Sequence, residues 1–311
     1  MKTVVVAGIS AGIGNATVAA LLAQGWHVFG SVRKQADADT AVHRFTSERF
    51  TPLIFDVTDE QAVLKAVEQV RTHLNGRTLD GLVNNAGSSY TDPLMVQPIE
   101  DFRMQMEVNV VGVFTVTRSF FPLLGGDPAL TGAKGRIVNL GSVGGRIAFP
   151  LLGAYVTAKH AVEGFSGALR RELQLVGIDV IVVGPGPVQT SIWDKAEAQT
   201  YPEVDGTIWD KPFRKYVGWM IDSGRKGLPA EQIGELIIHV LTTRKPKTRY
   251  APVKGKLFNE IVPSLLPAQN GRPCSGPAVR ATALKRRTAG WGCRSETSPD
   301  VTDHALAQHV G

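Results

Sequence analysis

The sequence predicts an α/β fold: a doubly wound parallel sheet of about seven strands with helices on both faces, followed by a tail of different character. Three observations carry this. Short apolar runs alternate with stretches of helical periodicity, and the connections between them are brief. The runs are nearly unbroken, which marks strands covered on both faces. The residues able to do chemistry gather just after those runs, at the carboxyl ends of the strands, where open α/β sheets hold ligands.

Composition sets the bounds. The chain has 311 residues, 43% hydrophobic and 20% charged, the balance of a globular protein with a sizeable core. No apolar run reaches the ~18–20 residues of a membrane helix, and Lys2 leads straight into a strand-like run without a signal peptide. A cytoplasmic protein is expected. Cys274 and Cys293 both fall in the last 44 residues, so the core has no disulfide framework. The net charge of +6 invites a nucleic-acid reading. However, Arg272, Arg280, Lys285, Arg286, Arg287 and Arg294, set against Glu296, Asp300 and Asp303, place half of it in residues 268–311. The remaining body is too evenly charged to track phosphates.

Thr3–Ala7 reads as the first strand. It runs into Gly8, Gly12 and Gly14, a G-x3-G-x-G turn, and a helical pattern follows through Val18, Leu21 and Leu22 to Gly25. Strand, glycine turn and helix form the context of a dinucleotide-binding loop. Bare backbone lets N–H groups approach a pyrophosphate, and the helix start adds positive potential. On spacing alone, a glycine turn without a ligand stays open. His27–Val32 is the second strand, and its end bears on the cofactor. A carboxylate there accepts from the ribose 2′-hydroxyl of NAD, whereas a cation takes the 2′-phosphate of NADP. The chain offers Ser31, Val32, Arg33 and Lys34 with no acid before Asp37, which favours NADP. Arg33 as the mere start of a solvated loop would leave the preference undecided.

Pro52–Val57 is the third strand, and Thr58–Gln61 resembles a capped start for the helix through Val63, Ala66, Val67 and Val70. Asp80–Asn84 is the fourth. It closes in Asn84-Asn85-Ala86-Gly87, where small residues let a cofactor ring approach the backbone, or simply make a turn. Met104–Phe121 is a long helical pattern containing Asn109, which either satisfies a local backbone group or holds a carbonyl or water at a site. Gly135–Leu140 is the fifth strand and Ile178–Val183 the sixth. Gly184-Pro185-Gly186-Pro187-Val188-Gln189-Thr190 follows, with prolines able to wall one side of a flat ring. Ala230–Leu241 is a helix and Arg249–Val253 an edge strand.

The fifth strand delivers Ser142, and the segment after it carries Tyr155 and Lys159. On a helix those two side chains leave the same face, about one turn apart. A phenol ionises near pH ~10 in water, and a neighbouring ammonium favours phenolate and lowers that value. Such a tyrosine is a candidate general acid/base, with the Ser142 hydroxyl bonding the same oxygen. A half-buried tyrosine beside a solvated lysine is the plain alternative, since short patterns recur by chance.

Taken together and in order, the stretches AGISAGIG, NNAG, the Asn109 helix, Ser142, Y-x-x-x-K and PGPVQT resemble the short-chain dehydrogenase/reductase family over about Lys2–Val253. Ser142 and Tyr155 stand at that family's usual separation. The resemblance implies a Rossmann-like fold and an NADP(H)-dependent exchange between a carbonyl and an alcohol. Tyr155 would be proton donor and acceptor, and Lys159 would lower its pKa and hold the nicotinamide ribose. Ser142 would orient the substrate oxygen, and Asn109 would anchor a water in a proton relay. Gly8, Ser10, Gly12, Ile13 and Gly14 would cradle pyrophosphate, with Ser31 and Arg33 at the 2′-phosphate. Asp56 and Val57 would meet adenine, while Asn85, Ala86 and Gly87 would flank a ribose. Pro185, Gly186, Val188 and Thr190 would seat the nicotinamide. Ala7, Gly141 and Gly184 depart from the commonest pattern without removing a reacting group. A homodimer or homotetramer is implied, and neither a metal nor a nucleic acid is expected.

Trp193, Tyr201, Ile208, Trp209, Phe213, Tyr216, Trp219 and Met220 crowd the segment 191–228, which the resemblance makes a substrate lid. They line an apolar, steroid- or retinoid-like substrate, or else form a local core. Residues 254–267 are expected to extend the domain near that lid. Residues 268–311 lose apolar periodicity and are expected to be disordered. Their C-x18-C-x10-H-x4-H spacing lacks the close cysteine pair of a zinc site. Two rivals remain: a 3-ketoacyl-thioester reductase and a non-catalytic NADP-binding sensor or scaffold.

Overall fold

The computed structural model describes residues 1–255. Its strands are β1 (Thr3–Ala7), β2 (His27–Val32), β3 (Phe50–Ile54), β4 (Gly81–Asn84), β5 (Arg136–Leu140), β6 (Asp179–Val183), β7 (Val188–Gln189), β8 (Leu228–Pro229) and β9 (Arg249–Tyr250). Seven of them form one parallel sheet in the order β3–β2–β1–β4–β5–β6–β9, and β7 pairs with β8 apart from it. The helices are α1 (Gly12–Ala23), α2 (Gln35–Phe45), α3 (Glu60–Leu74), α4 (Ile99–Met106), α5 (Gly112–Phe120), α6 (Gly153–Leu173), α7 (Ile192–Ala198), α8 (Asp210–Arg225) and α9 (Ala230–Thr242). No described helix is long and apolar enough to cross a membrane. The expectations for residues 268–311, and for all but the start of 254–267, lie outside the described residues.

The apolar runs become buried strands because alternate side chains have a layer to enter on each face. Val4 and Val6 join the cluster made with α1, α2 and α9, while Val5 and Ala7 join the one made with α3, α5 and α6. Burying each such valine stabilises the fold by about 1.5–3 kcal/mol. Strand order reverses at β1, with β2 on one side and β4 on the other. The loops after β1 and β4 therefore diverge from the sheet side by side, leaving the crevice in which such sheets bind ligands.

Several elements differ from expectation. The third strand begins at Phe50 and ends at Ile54, because the chain turns at Asp56, whose Oδ1 accepts from Thr58 N (3.0 Å) and Oγ1 (2.9 Å). The edge strand stops at Tyr250, two residues before Pro252, which has no N–H to donate. The helix expected from Met104 starts at Ile99, with Pro98 at its cap and Glu100 and Asp101 in its first turn. It also widens into π-turns at Glu107–Val111 and Pro122–Gly126. A π-turn inserts one residue into the helical ladder and re-aims the side chains beyond it. Asn109 sits in the first of them.

On β2, His27 is 4% exposed and its Nε2 lies 3.0 Å from Thr51 Oγ1. Its ring packs on Phe29 and, at 4.0 Å between centroids, on His73. Burial, and then the charge of His73, lower its pKa from 6.5 to about 4. A depressed histidine is neutral in the fold while the unfolded chain takes up its proton, so the stability it supports is lost as pH falls from 6.5 to about 4. The expected loss is at most about 3 kcal/mol. In urea unfolding, His27→Phe should flatten that acid limb, and parallel curves for variant and wild type would refute the assignment.

Candidate active site

The glycine turn is built at the switch point. Gly8 has φ +78°, and a Cβ there would lie 2.6 Å from Ala86 Cα, so only glycine lets the loops after β1 and β4 touch. Gly14 is closed on all sides: a Cβ would strike the Gly8 carbonyl and the Asn85 amide. That amide donates to Gly8 O (2.5 Å), tying Asn85 to the loop. Gly12 faces Thr190, whose Cγ2 would be 3.0 Å from an added Cβ. Ser10 is exposed and Ile13 half-buried in the same turn. Ser31 lies beneath: its Oγ accepts from Gly8 N (2.9 Å). Its oxygen thus shapes the loop, leaving the hydroxyl hydrogen to donate elsewhere. The bare-backbone cradle and the helix start behind it fit a pyrophosphate.

At the end of β2, Arg33 and Lys34 are exposed, and neither has an ion pair or side-chain hydrogen bond among the described residues. Arg44 of α2, which sequence reasoning missed, donates through its guanidinium to Ser10 O (3.4 Å). Of these cations, Arg44 is the one that touches the glycine turn, while Arg33 and Lys34 directly follow β2. Across it, Val57 is buried against Gly112, and the Asp56 carboxylate is engaged by Thr58.

Asn109 is 1% exposed, and both ends of its amide are hydrogen-bonded. Its Oδ1 accepts from Ser88 N (3.2 Å), and its Nδ2 donates to Ser88 O (2.9 Å) and Gln105 O (3.0 Å). The amide expected to anchor a water instead braces the backbone just after Gly87, because the π-turn aims it there. The sequence also hid a buried polar chain beneath this point. Asn84 donates to Thr117 Oγ1 and Asn139 Oδ1 (both 2.8 Å), and Asn139 donates to Ser166 Oγ (2.9 Å).

Ser142 leaves β5 in extended conformation, and its Oγ caps a short 3₁₀ turn by accepting from Gly144 N (3.0 Å). The Tyr155 ring, presented by α6, comes to the same glycine: a Cβ added at Gly144 would lie 3.4 Å from Tyr155 Cε1 and 3.5 Å from Ser142 Oγ. Lys159, one turn further along α6, is buried, and its Nζ donates to Leu140 O (2.8 Å). The ammonium stands 5.8 Å from the centroid of the Tyr155 ring. Serine, tyrosine and lysine do converge. The expected pKa relation is reversed, however: burial pushes the Tyr155 phenol above its usual value, and the Ser142 hydrogen bond only opposes that. Lys159 bonds a backbone carbonyl, not the phenol. Burial also lowers its own pKa from 10.5 to about 8.

Behind Ser142 stands an ion pair that is invisible in the sequence. Arg249 of β9 donates through Nε to Glu163 Oε1 of α6 (2.8 Å) and through Nη2 to Ser142 O (3.3 Å). Glu163 also faces Arg146 (3.6 Å). Arg249 and Glu163 side chains are 14% and 13% exposed. The pair fixes the loop that carries the serine against the helix that carries the tyrosine.

Pro185 accepts from Val143 N (3.0 Å), which seats the 184–190 stretch beside Ser142. Gly186 donates to Pro252 O (3.1 Å), and Val188 is buried on β7. Pairing of β7 with β8 brings both ends of the intervening segment together. Within it, Tyr201, Val204, Phe213, Val217 and Ile221 form a small core with Trp193 and Trp209 against it. The Tyr201 and Phe213 rings meet edge to face at 4.9 Å. The aromatic density thus serves mainly this segment's own packing. Among the described residues no group of three His, Cys, Asp or Glu side chains is placed to hold a metal.

Comparison with known proteins agrees with this geometry. Residues 2–200 match the short chain dehydrogenase family. The chain is 37% identical over 267 residues to the NADPH-dependent 3-dehydrocapnine reductase of Ornithobacterium rhinotracheale, covering 86% of this chain and 93% of that one. It is 31% identical over 284 residues to human 17-beta-hydroxysteroid dehydrogenase type 6, covering 86% and 85%. A short-chain dehydrogenase from Streptomyces avermitilis shares the fold at a TM-score of 0.68 and 24% identity, over 84% of this chain and 91% of that one. The chain belongs to the short-chain dehydrogenase family of oxidoreductases.

Proposed function

We propose that this protein is a cytoplasmic NADP(H)-dependent oxidoreductase that interconverts a ketone or aldehyde and an alcohol on a largely apolar substrate. The carrying observation is that Ser142 and Tyr155 meet at Gly144 with the buried Lys159 ammonium 5.8 Å from the Tyr155 ring, at the end of a strand in the same sheet that carries the glycine cradle. Bound in that cradle, the dinucleotide supplies the hydride. The chain's own residues do the rest. Ser142 and Tyr155 hold the carbonyl oxygen as it gains charge, and pre-aimed donors in a dry site are worth most there. Tyr155 then gives its proton to that oxygen, or takes it back in the oxidative direction. Lys159 keeps a positive charge within reach of the phenolate that forms. Proton transfer of this kind contributes about 10²–10⁴-fold.

The cofactor preference rests on Arg33, a free cation at the end of β2, and is in line with the NADPH-dependent relative. A charge-assisted hydrogen bond is worth about 1.5–3 kcal/mol, so Arg33→Ala should cut the affinity ratio of NADPH over NADH by about 10–100-fold. Titrating both nucleotides against both proteins tests this, and an unchanged ratio would remove Arg33 from the site. An NADPH oxidation assay over ketones, aldehydes and acyl-thioesters separates the leading reading from its rivals. Preference for thioesters would favour the ketoacyl reductase, and NADPH binding without turnover a sensor. A homodimer or homotetramer is part of the proposal, supported by an apolar groove of about 380 Å³ along α5 and α6 lined by Phe114, Phe121, Phe165 and Leu169.

A further inference from the structure

The loop between Gly87 and α4 holds a charge that the proposed mechanism does not use. Asp92 is 5% exposed, and its side chain has no hydrogen bond or ion pair among the described residues. The charged groups facing it are acids: Asp101 in the first turn of α4 and Glu203 in the segment between α7 and α8. Neither has an ion pair among the described residues. Tyr201, the other titratable group it meets, belongs to the core of that same segment. Further along the loop, both ends of the Gln97 amide are buried without a partner.

Its place relates Asp92 to the reaction. Leu94, two residues on, packs against Gly153, the first residue of α6, and Tyr155 follows within the same helical turn. Val96 and Leu151 meet the core of the 191–227 segment. The loop therefore runs from the Asn109 brace, past the start of the catalytic helix, to the underside of the proposed lid.

A carboxylate held largely out of water without a counter-ion is destabilised, and further acids nearby add to that; the Asp92 oxygens are not among the fully buried atoms and so can be reached. Burial, then Asp101, then Glu203, hold the Asp92 carboxyl up at about 6. It is thus ionised near neutral pH despite having no partner. A cationic ligand that pairs with it relieves the penalty. A divalent metal does not fit, since no group of three ligand side chains is formed among the described residues. Beyond those acids, the loop and the core it packs on offer apolar side chains, Leu94, Val96 and Leu151, which suit an ammonium carried on a largely apolar body.

We propose that Asp92 is the specificity-determining residue of this site and that the preferred substrate is an amine-bearing ketone or alcohol, its ammonium held by the Asp92 carboxylate beneath the lid. This rests on the reductase reading above. The test uses two isosteric ketones, 4-(aminomethyl)acetophenone and 4-ethylacetophenone, with NADPH and the full chain. Near neutral pH the wild type should favour the aminoketone in kcat/KM by about tenfold or more, a difference of about 1.4 kcal/mol. In Asp92→Asn that ratio should collapse towards unity. As an internal check on the unmodified protein, the ratio should fall as pH drops below about 6, where Asp92 is protonated. A ratio near unity in the wild type, or one that Asp92→Asn or acid leaves unchanged, overturns the proposal. If NADPH binds but neither ketone is consumed, the reductase reading fails. Dissociation constants of the two compounds on NADPH-loaded wild type and Asp92→Asn then decide the ammonium site by the same ratio.

Discussion

Replacing Tyr155 with phenylalanine should leave NADPH binding within a few-fold of wild type while turnover falls by about 10²–10⁴-fold or more. The substitution removes one oxygen and keeps the ring that packs beside Gly144. The fold and the glycine cradle therefore stand. The loss is of the only described group at that point able to pass a proton to the substrate oxygen. Ser142 remains as a donor, but a serine hydroxyl already accepting from Gly144 cannot replace a proton source. Calorimetric titration with NADPH and an oxidation assay read the two effects separately. Full turnover in the variant would remove the catalytic assignment.

Arg249→Met should destabilise the protein by about 3 kcal/mol, because breaking a mostly buried ion pair strands its partner. Glu163 would keep one ion pair, to Arg146 at 3.6 Å and largely in solvent, besides the charge of Arg170. The Ser142 carbonyl would also lose a donor, loosening the loop that aims the catalytic hydroxyl. Turnover should fall more than substrate affinity, since the hydroxyl matters most when charge develops on the oxygen. Adding Glu163→Gln should recover part of the lost stability, and the double-mutant cycle isolates the pair from the other contacts of Arg249. Chemical unfolding of the four proteins measures this. An Arg249→Met variant as stable as wild type would show that the pair does not hold the loop.

The sheet was readable because its signal is local: TVVVA or IDVIVV can be buried on both faces only as strands between helical layers. The meeting of Ser142, Tyr155 and Lys159 was readable too, since a strand end and one helix turn place all three. Three things were not. The direction of Tyr155's pKa depends on how much water the finished site excludes, which no spacing records. The orientation of Asn109 depends on a π-turn, and so on which carbonyl each N–H finds once the helix has packed. The pairing of Glu163 with Arg249 joins residues 86 positions apart, and nothing near either one announces the other. Aromatic crowding in 191–228 was ambiguous for the same reason: it fits a small core or a cavity wall, and only packing separates them.

The short β7–β8 pairing means that the chain sets out from Gln189 and comes back beside its own point of departure at Leu228. Everything between is a detachable hood on a common hinge plate. Changes within it need not disturb the register of the strands below. On the function proposed above, chemistry and selectivity then fall to separate parts of one polypeptide, and the second can drift without endangering the first.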